Sequence, residues 1–118
     1  LLIELFDVLF KKNNKIQLQI VGDTLPQYQK YLDHLKLNIK KKGIEDRIMF
    51  LGFRNDISYI LSNSNFLIHT PISPDPFPTV IFEAIKSKTP VITNNLGGAF
   101  EILDLALTYV YAYSKSMP

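Results

Sequence analysis

Residues 66–93 read Phe66-Leu67-Ile68-His69-Thr70-Pro71-Ile72-Ser73-Pro74-Asp75-Pro76-Phe77-Pro78-Thr79-Val80-Ile81-Phe82-Glu83-Ala84-Ile85-Lys86-Ser87-Lys88-Thr89-Pro90-Val91-Ile92-Thr93. Phe66 to His69 is a short apolar run of the kind that forms a buried strand. Thr70 to Pro78 carries four prolines and predicts a loop. Thr79 to Lys88 predicts a helix in which Ile81, Ala84 and Ile85 face a sheet while Thr79, Glu83 and Ser87 share a polar face. Val91-Ile92-Thr93 predicts a second buried strand. Strand, loop, helix and strand in this order are the building unit of a parallel sheet.

The alternation continues on both sides. Leu1, Leu2, Leu5, Phe6, Leu9 and Phe10 recur with helical spacing until Asn13-Asn14. Ile16, Leu18, Ile20 and Val21 lead to Gly22 as a strand ending in a turn. Pro26 to Lys42 is an amphipathic helix with Gly43 as its stop. Arg47 to Leu51 is a strand closed by Gly52. Asp56 can cap a short helix through Ile57, Ile60 and Leu61. Beyond Thr93 come the Asn94-Asn95-Leu96-Gly97-Gly98 turn, a helical turn from Phe100 to Leu103 and a strand candidate from Leu107 to Tyr111. The fold class is therefore α/β, a Rossmann-like parallel sheet with helices on both faces. Ligands of such sheets bind at the carboxyl ends of the strands. The unusual loops fall there: Gly22-Asp23, Gly52-Phe53-Arg54, His69 to Pro78 and Asn94 to Gly98.

Composition excludes several function classes. The chain has 118 residues, 47% hydrophobic and 20% charged, as an ordinary globular domain has. A net charge of +2 gives no reason to expect a nucleic-acid partner. Lys40-Lys41-Lys42 before Gly43 reads as the cationic end of a helix, at the negative pole of its dipole. The absence of cysteine excludes disulfides, thiolate-bound zinc and a cysteine nucleophile. No apolar run approaches the ~18 residues of a membrane span.

The chemistry concentrates in the Pro-rich loop and the helix after it. Pro76 and Pro78 lack amide hydrogens, so Phe77, Thr79 and Val80 supply the free donors at the helix N-terminus, where the dipole favours an anion. Asp75 and Glu83 add two carboxylates. A carboxylate in Glu83's place can accept hydrogen bonds from two adjacent hydroxyls, as on a ribose. The alternative is a solvated surface glutamate. Asp75 can meet sugar hydroxyls, or else close an Asx turn on its own backbone. His69 at a strand end is either a ligand contact or a packed residue, and His34 reads as a helix-surface residue. Gly97-Gly98 before Glu101 is a second anion-binding turn or only a connection the fold requires. No GxGxxG or Walker sequence occurs. A ligand carrying both hydroxyls and phosphates, such as a nucleotide-sugar, suits this set.

Together these segments resemble the C-terminal, nucleotide-sugar-binding half of retaining glycosyltransferases of the GT-B fold, the glycosyl transferases group 1. The resemblance rests on Leu18-Gln19-Ile20-Val21-Gly22-Asp23, on Gly43 to Phe53, on Asp75 to Ala84, on Thr89-Pro90-Val91-Ile92-Thr93 and on Gly97 to Ile102, in that order. It implies that residues 1–118 form part of that half. It further implies that Glu83 binds the ribose, Asp75 the donor sugar, and Pro76, Phe77, Pro78, Thr79 and Val80 the sugar and diphosphate. Gly52, Phe53 and Arg54 would meet the base. Asp75 stands where glutamate is usual, and Pro78 where glycine is common. Family members carry an Arg and a Lys for the diphosphate just before the helix that opens this chain, so the chain reads as a piece that lacks them, the first strand and the acceptor-binding half, and would be inactive alone.

The implied activity is transfer from a UDP-, GDP- or ADP-linked sugar to an acceptor sugar or lipid-linked sugar, in surface polysaccharide or lipopolysaccharide synthesis. No metal or other cofactor is implied. The implied location is cytoplasmic, with attachment at the inner membrane face as a family-level option. Alternatives are a nucleotide-sugar epimerase of related fold, a glycoside hydrolase with paired carboxylates, a receiver-like signalling domain and a non-catalytic sugar-binding relic.

Overall fold

The computed structural model of the chain describes residues 1–94 and 96–106. The strand expected at Leu107–Tyr111 and the tail after it lie outside these residues. The chain divides into two compact units, one spanning Leu1–Asn55 and one beginning at Asp56.

The first unit contains α1 (Leu2–Lys12), β1 (Leu18–Val21), α2 (Gln29–Lys41) and β2 (Ile48–Gly52), with 3-10 turns at Pro26–Tyr28 and Glu45–Arg47. β1 and β2 pair in parallel, Leu18 opposite Ile48 and Ile20 opposite Phe50, with a register shift between Ile20 and Val21 that sets Val21 opposite Gly52. Parallel pairing requires a crossover, and α2 supplies it. Ile3 and Phe6 of α1, Leu18, Ile39 of α2, Ile44 and Ile48 form the core, with Leu2, Phe10 and Leu35 packed against it. The stripe expected on α1 holds only in part: Leu1 and Leu9 are exposed, and Ile3, outside that stripe, is buried. On α2 the expected Tyr28 and Tyr31 are exposed, and Ile39 is the buried residue. Not every strand residue is covered. Phe50 is 37% exposed and lies under the Lys36 ammonium, 5.3 Å from the ring centroid.

The Lys40–Lys42 run ends α2 as its spacing predicts. Lys42 occupies the C-cap, and Gly43 follows at φ +65. The Gly43 amide donates to Lys40 O at 3.0 Å and the Ile44 amide to Ile39 O at 3.4 Å, which is a Schellman closure with Ile39 and Ile44 both buried. Lys42 Nζ reaches Glu4 at 2.8 Å and Asp7 at 3.3 Å, and Lys11 reaches Asp7 at 3.0 Å, tying α2 to α1. The hydrogen bond from Lys42 holds the Glu4 carboxyl below its ordinary range, and the bond from Lys11, joined by that from Lys42, does so for Asp7. The unfolded chain therefore takes up protons first as pH falls. The stability contributed by this cluster is full above the ordinary carboxylate range and is lost on acidification through the lower folded values. Urea midpoints measured from about pH 7 to about pH 3 should fall, and Asp7→Asn should start lower and fall less steeply.

The second unit contains α3 (Ile57–Ser62), β3 (Leu67–His69), α4 (Thr79–Lys86), β4 (Val91–Thr93) and helical residues 99–106. β3 and β4 pair in parallel, from Leu67 opposite Val91 to His69 opposite Thr93, with α4 as the crossover. Phe66 falls outside the strand and is 57% exposed, because pairing begins where the Leu67 amide donates to Pro90 O at 2.8 Å. Asp56 holds the N-cap position of α3 without a side-chain capping bond. Ile81 and Ala84 of α4 are fully buried, and Ile81 packs with Ala99 and Ile102. Ile85 departs from expectation. It is 38% exposed, because the buried stripe of so short a helix is used up by Ile81, Ala84 and half-buried Val80. The helix also stops two residues before Lys88. Ser87 is the C-cap, the Lys88 amide donates to Ile85 O at 3.0 Å, and the Thr89 amide donates to Ala84 O at 2.9 Å. This repeats the closure of α2, but with Lys88 at φ +58 where glycine is usual. Thr89 is buried behind it and its hydroxyl donates to Leu61 O at 2.7 Å, fastening α4 to α3.

Candidate functional site

The loop between β3 and α4 is held at both ends. At the strand ends, His69 Nδ1 and Thr93 Oγ1 lie 3.2 Å apart, so His69 is engaged across the strand pair. Asn94 Nδ2 donates to Pro71 O at 3.0 Å and joins the loop after β4 to the loop after β3, while Asn94 Oδ1 is buried without a partner among the described residues. Sequence reading singled out Asn94 only as part of a turn. Its bond to a carbonyl 23 residues away leaves no local signal.

At the other end, Asp75 Oδ1 accepts the Phe77 amide at 3.0 Å. This is the Asx turn that stood as the alternative to a ligand contact. It corrects one expectation: the Phe77 amide is not free, because an aspartate two residues before it is the right length to accept its hydrogen. Asp75 Oδ2 carries no such bond among the described residues. The Asp75 backbone also pairs in parallel with Gly97, and Asp75 O accepts the Gly98 amide at 2.9 Å. The Pro-rich loop and the glycine turn are thus one structure.

Pro78 is fully buried and occupies the N-cap of α4, with φ −69 and ψ 97. A proline there removes no needed donor, but it also offers no side-chain acceptor to the helix. Ile81 N donates to Pro78 O at 3.1 Å, and no hydrogen bond to the Thr79 or Val80 amide is formed among the described residues. Two amides therefore remain open at the positive end of an eight-residue helix. Thr79 and Glu83, four residues apart, share the exposed face of α4.

The opposite flank of α4 is different in character. Phe77 and Phe82 pack with ring centroids 5.0 Å apart. With Pro76, Ile85, Ile102 and Leu105 they line an apolar cavity of about 460 Å³, which Glu83 does not line. Glu101 also borders this cavity and stands in the first turn of helical residues 99–106, where a carboxylate complements the helix's own N-terminus.

The structure thus brings Asp75, Pro76, Phe77, Pro78, Thr79, Val80 and Glu83 together within the second unit, on one loop and one helix. Gly52, Phe53 and Arg54 belong to the first. Gly52 ends β2 at φ +64 and its carbonyl accepts the Gly22 amide at 2.8 Å, while Phe53 is 72% exposed. Among the described residues, no three or more His, Cys, Asp or Glu side chains group as a metal site requires, and no helix is long and apolar enough to cross a membrane.

Comparison with known proteins gives these features a context. The chain matches the family described as glycosyl transferases group 1 over residues 1–114. It is 29% identical over 110 residues to an uncharacterized glycosyltransferase of Methanocaldococcus jannaschii, MJ1607, covering 92% of this chain and 26% of that protein. Among solved structures it is similar to Anabaena HepE in complex with UDP-glucose, with 37% identity and a TM-score of 0.76 over 82% of this chain and 27% of HepE. Against HepE with UDP and glucose the identity is 39% and the TM-score 0.70, over 72% of this chain and 23% of that one. WaaG, a glycosyltransferase involved in lipopolysaccharide biosynthesis, shares the fold at 23% identity and a TM-score of 0.62, over 76% of this chain and 22% of WaaG. The chain spans about a quarter of the length of these relatives.

Proposed function

Because the chain belongs to the glycosyl transferases group 1 family and has the α/β architecture of GT-B glycosyltransferases, we propose that it binds the nucleotide-sugar donor of a retaining transferase. In this reading residues 1–118 are part of a C-terminal donor-binding domain, and the acceptor, a sugar or lipid-linked sugar, is held elsewhere in the intact protein. The observation that carries the proposal is the uncapped N-terminus of α4. The Thr79 and Val80 amides stand open there behind a buried Pro78, on the helix that also presents Glu83.

The physical fit is specific. A diphosphate carries negative charge to the positive end of a helix and accepts both amide hydrogens, needing no metal for these contacts. Glu83 accepts from the ribose hydroxyls, and Asp75 Oδ2 accepts from the donor sugar. Pro76 and Phe77 shape the loop beside the sugar, and Gly52, Phe53 and Arg54 are assigned to the base. During transfer the acceptor hydroxyl gives up its proton and bonds the anomeric carbon as the bond from that carbon to the diphosphate breaks, and the helix end stabilises the charge that develops on the leaving diphosphate. We take the donor to be UDP-linked, since HepE, at 37–39% identity, is seen with UDP and with UDP-glucose. Surface polysaccharide or lipopolysaccharide synthesis on the cytoplasmic side, with or without attachment to the membrane face, is the corresponding setting.

A binding screen of UDP-, GDP- and ADP-glucose against the intact protein tests this. The UDP sugar is expected to bind most tightly. Failure to bind any of the three contradicts the donor role, and isomerisation of a bound donor without acceptor would make the protein an epimerase instead.

A further inference from the structure

We propose that Gly97 and Gly98 are positioning residues for sugar transfer: they hold Asp75 at the sugar end of the donor without touching the donor themselves. The role rests on the donor-site reading above, and it explains a pair of glycines that the reading leaves unused.

The two backbones meet face to face. Gly97 pairs in parallel with Asp75, and the Gly98 amide donates to Asp75 O at 2.9 Å. A Cβ on Gly97 would fall against Asp75 O and within 2.7 Å of Asp75 N, and one on Gly98 would fall against Pro76 O and within 2.9 Å of Pro76 C. These neighbours are backbone atoms of a Pro-rich segment and cannot swing aside as a flexible side chain does. Gly97 also sits at φ +79, which other residues rarely adopt. Asp75 is thereby gripped from two directions. Gly98 fixes its carbonyl, and the Phe77 amide fixes Oδ1 at 3.0 Å. Oδ2 accepts no hydrogen bond among the described residues and is the freer oxygen for a ligand, oriented by the Asx turn and the fixed backbone. Replacing either glycine displaces the carboxylate, while α4 stays held at its other end by buried Ala84, whose carbonyl accepts the Thr89 amide, and by the Thr89 hydroxyl on Leu61 O.

The test uses the intact protein with UDP and UDP-glucose. In Gly98→Ala, kcat for transfer of glucose from UDP-glucose to water should fall about 100-fold, the order expected for a misplacement near 1 Å, while affinity for UDP is kept. Loss of UDP affinity together with turnover in a Gly98→Ala protein that folds, or unchanged turnover, overturns the positioning role. Failure of the wild type to bind UDP overturns the donor-site reading itself, and the positioning role with it. Should Gly98→Ala not fold, hydrogen exchange of the Gly98 amide in the wild type decides. Protection should rise further with UDP-glucose than with UDP, and equal protection with both overturns the proposal.

Discussion

Glu83→Ala in the intact protein is expected to weaken UDP-glucose binding by roughly 10- to 100-fold, the consequence of losing charged-acceptor hydrogen bonds of about 1.5–3 kcal/mol. The expectation follows from where Glu83 stands. It is exposed on α4, one helical turn past Thr79, on the face that continues from the two open amides. Among the described residues its side chain makes no hydrogen bond or ion pair, and alanine is the best helix former. Folding stability should therefore change by no more than about 0.5 kcal/mol. Calorimetric titration with UDP-glucose beside urea unfolding of the same variant separates the two effects. Glu83→Gln should recover part of the affinity, since an amide oxygen still accepts but carries no charge. A variant that unfolds normally and binds normally would make Glu83 the solvated surface residue of the alternative reading.

Ile81→Ala is expected to destabilise the second unit by about 3 kcal/mol, a large share of the ~5–15 kcal/mol of a typical domain. Ile81 is 0% exposed and packs with Ala99 and Ile102, with Val80, Val91 and Leu103 around them. The cavity left by three carbons has little prospect of closing, because Ala99 and Ala84 are already small and fully buried. Ile81→Val should cost about 1 kcal/mol, giving a graded series in urea unfolding. The same series should carry donor affinity down with stability only where the unit begins to unfold. That distinguishes it from Glu83→Ala, in which affinity falls alone. Equal stability of Ile81→Ala and wild type would show that this core is not where α4 is held.

The fold was legible because its signals are local and periodic. The helical spacing of α1 through Phe6, the Gly43 stop and the short strands before Gly22 and Gly52 each report on their own few residues, and each is found in place, although the buried face of α1 turns to Ile3 and leaves Leu1 and Leu9 exposed. Family membership was legible for a related reason, since several ordered blocks along the chain carry it. What was missed depends on contacts across the chain or on rare conformations. Lys88 closes α4 at positive φ with no glycine to announce it. Ile85 lies within the helical spacing of Ile81 yet faces outward, because the stripe is only as wide as the surface it covers. The Phe77 amide seemed free because an Asx turn and a ligand-facing aspartate read identically in sequence. The bond from Asn94 to Pro71 and the pairing of Asp75 with Gly97 join residues more than twenty positions apart. These contacts make the loop a single unit, and no spacing rule encodes them.

The Thr79 and Val80 amides, unpaired among the described residues, are the proposed receivers of the donor's diphosphate. Backbone hydrogen exchange of the intact protein, read at Thr79 and Val80 with and without saturating UDP-glucose, addresses that point alone. Both amides should slow on binding, by about tenfold or more, as each gains an acceptor. Saturation by UDP-glucose with both amides exchanging at their free rate would contradict this role and place the phosphates elsewhere.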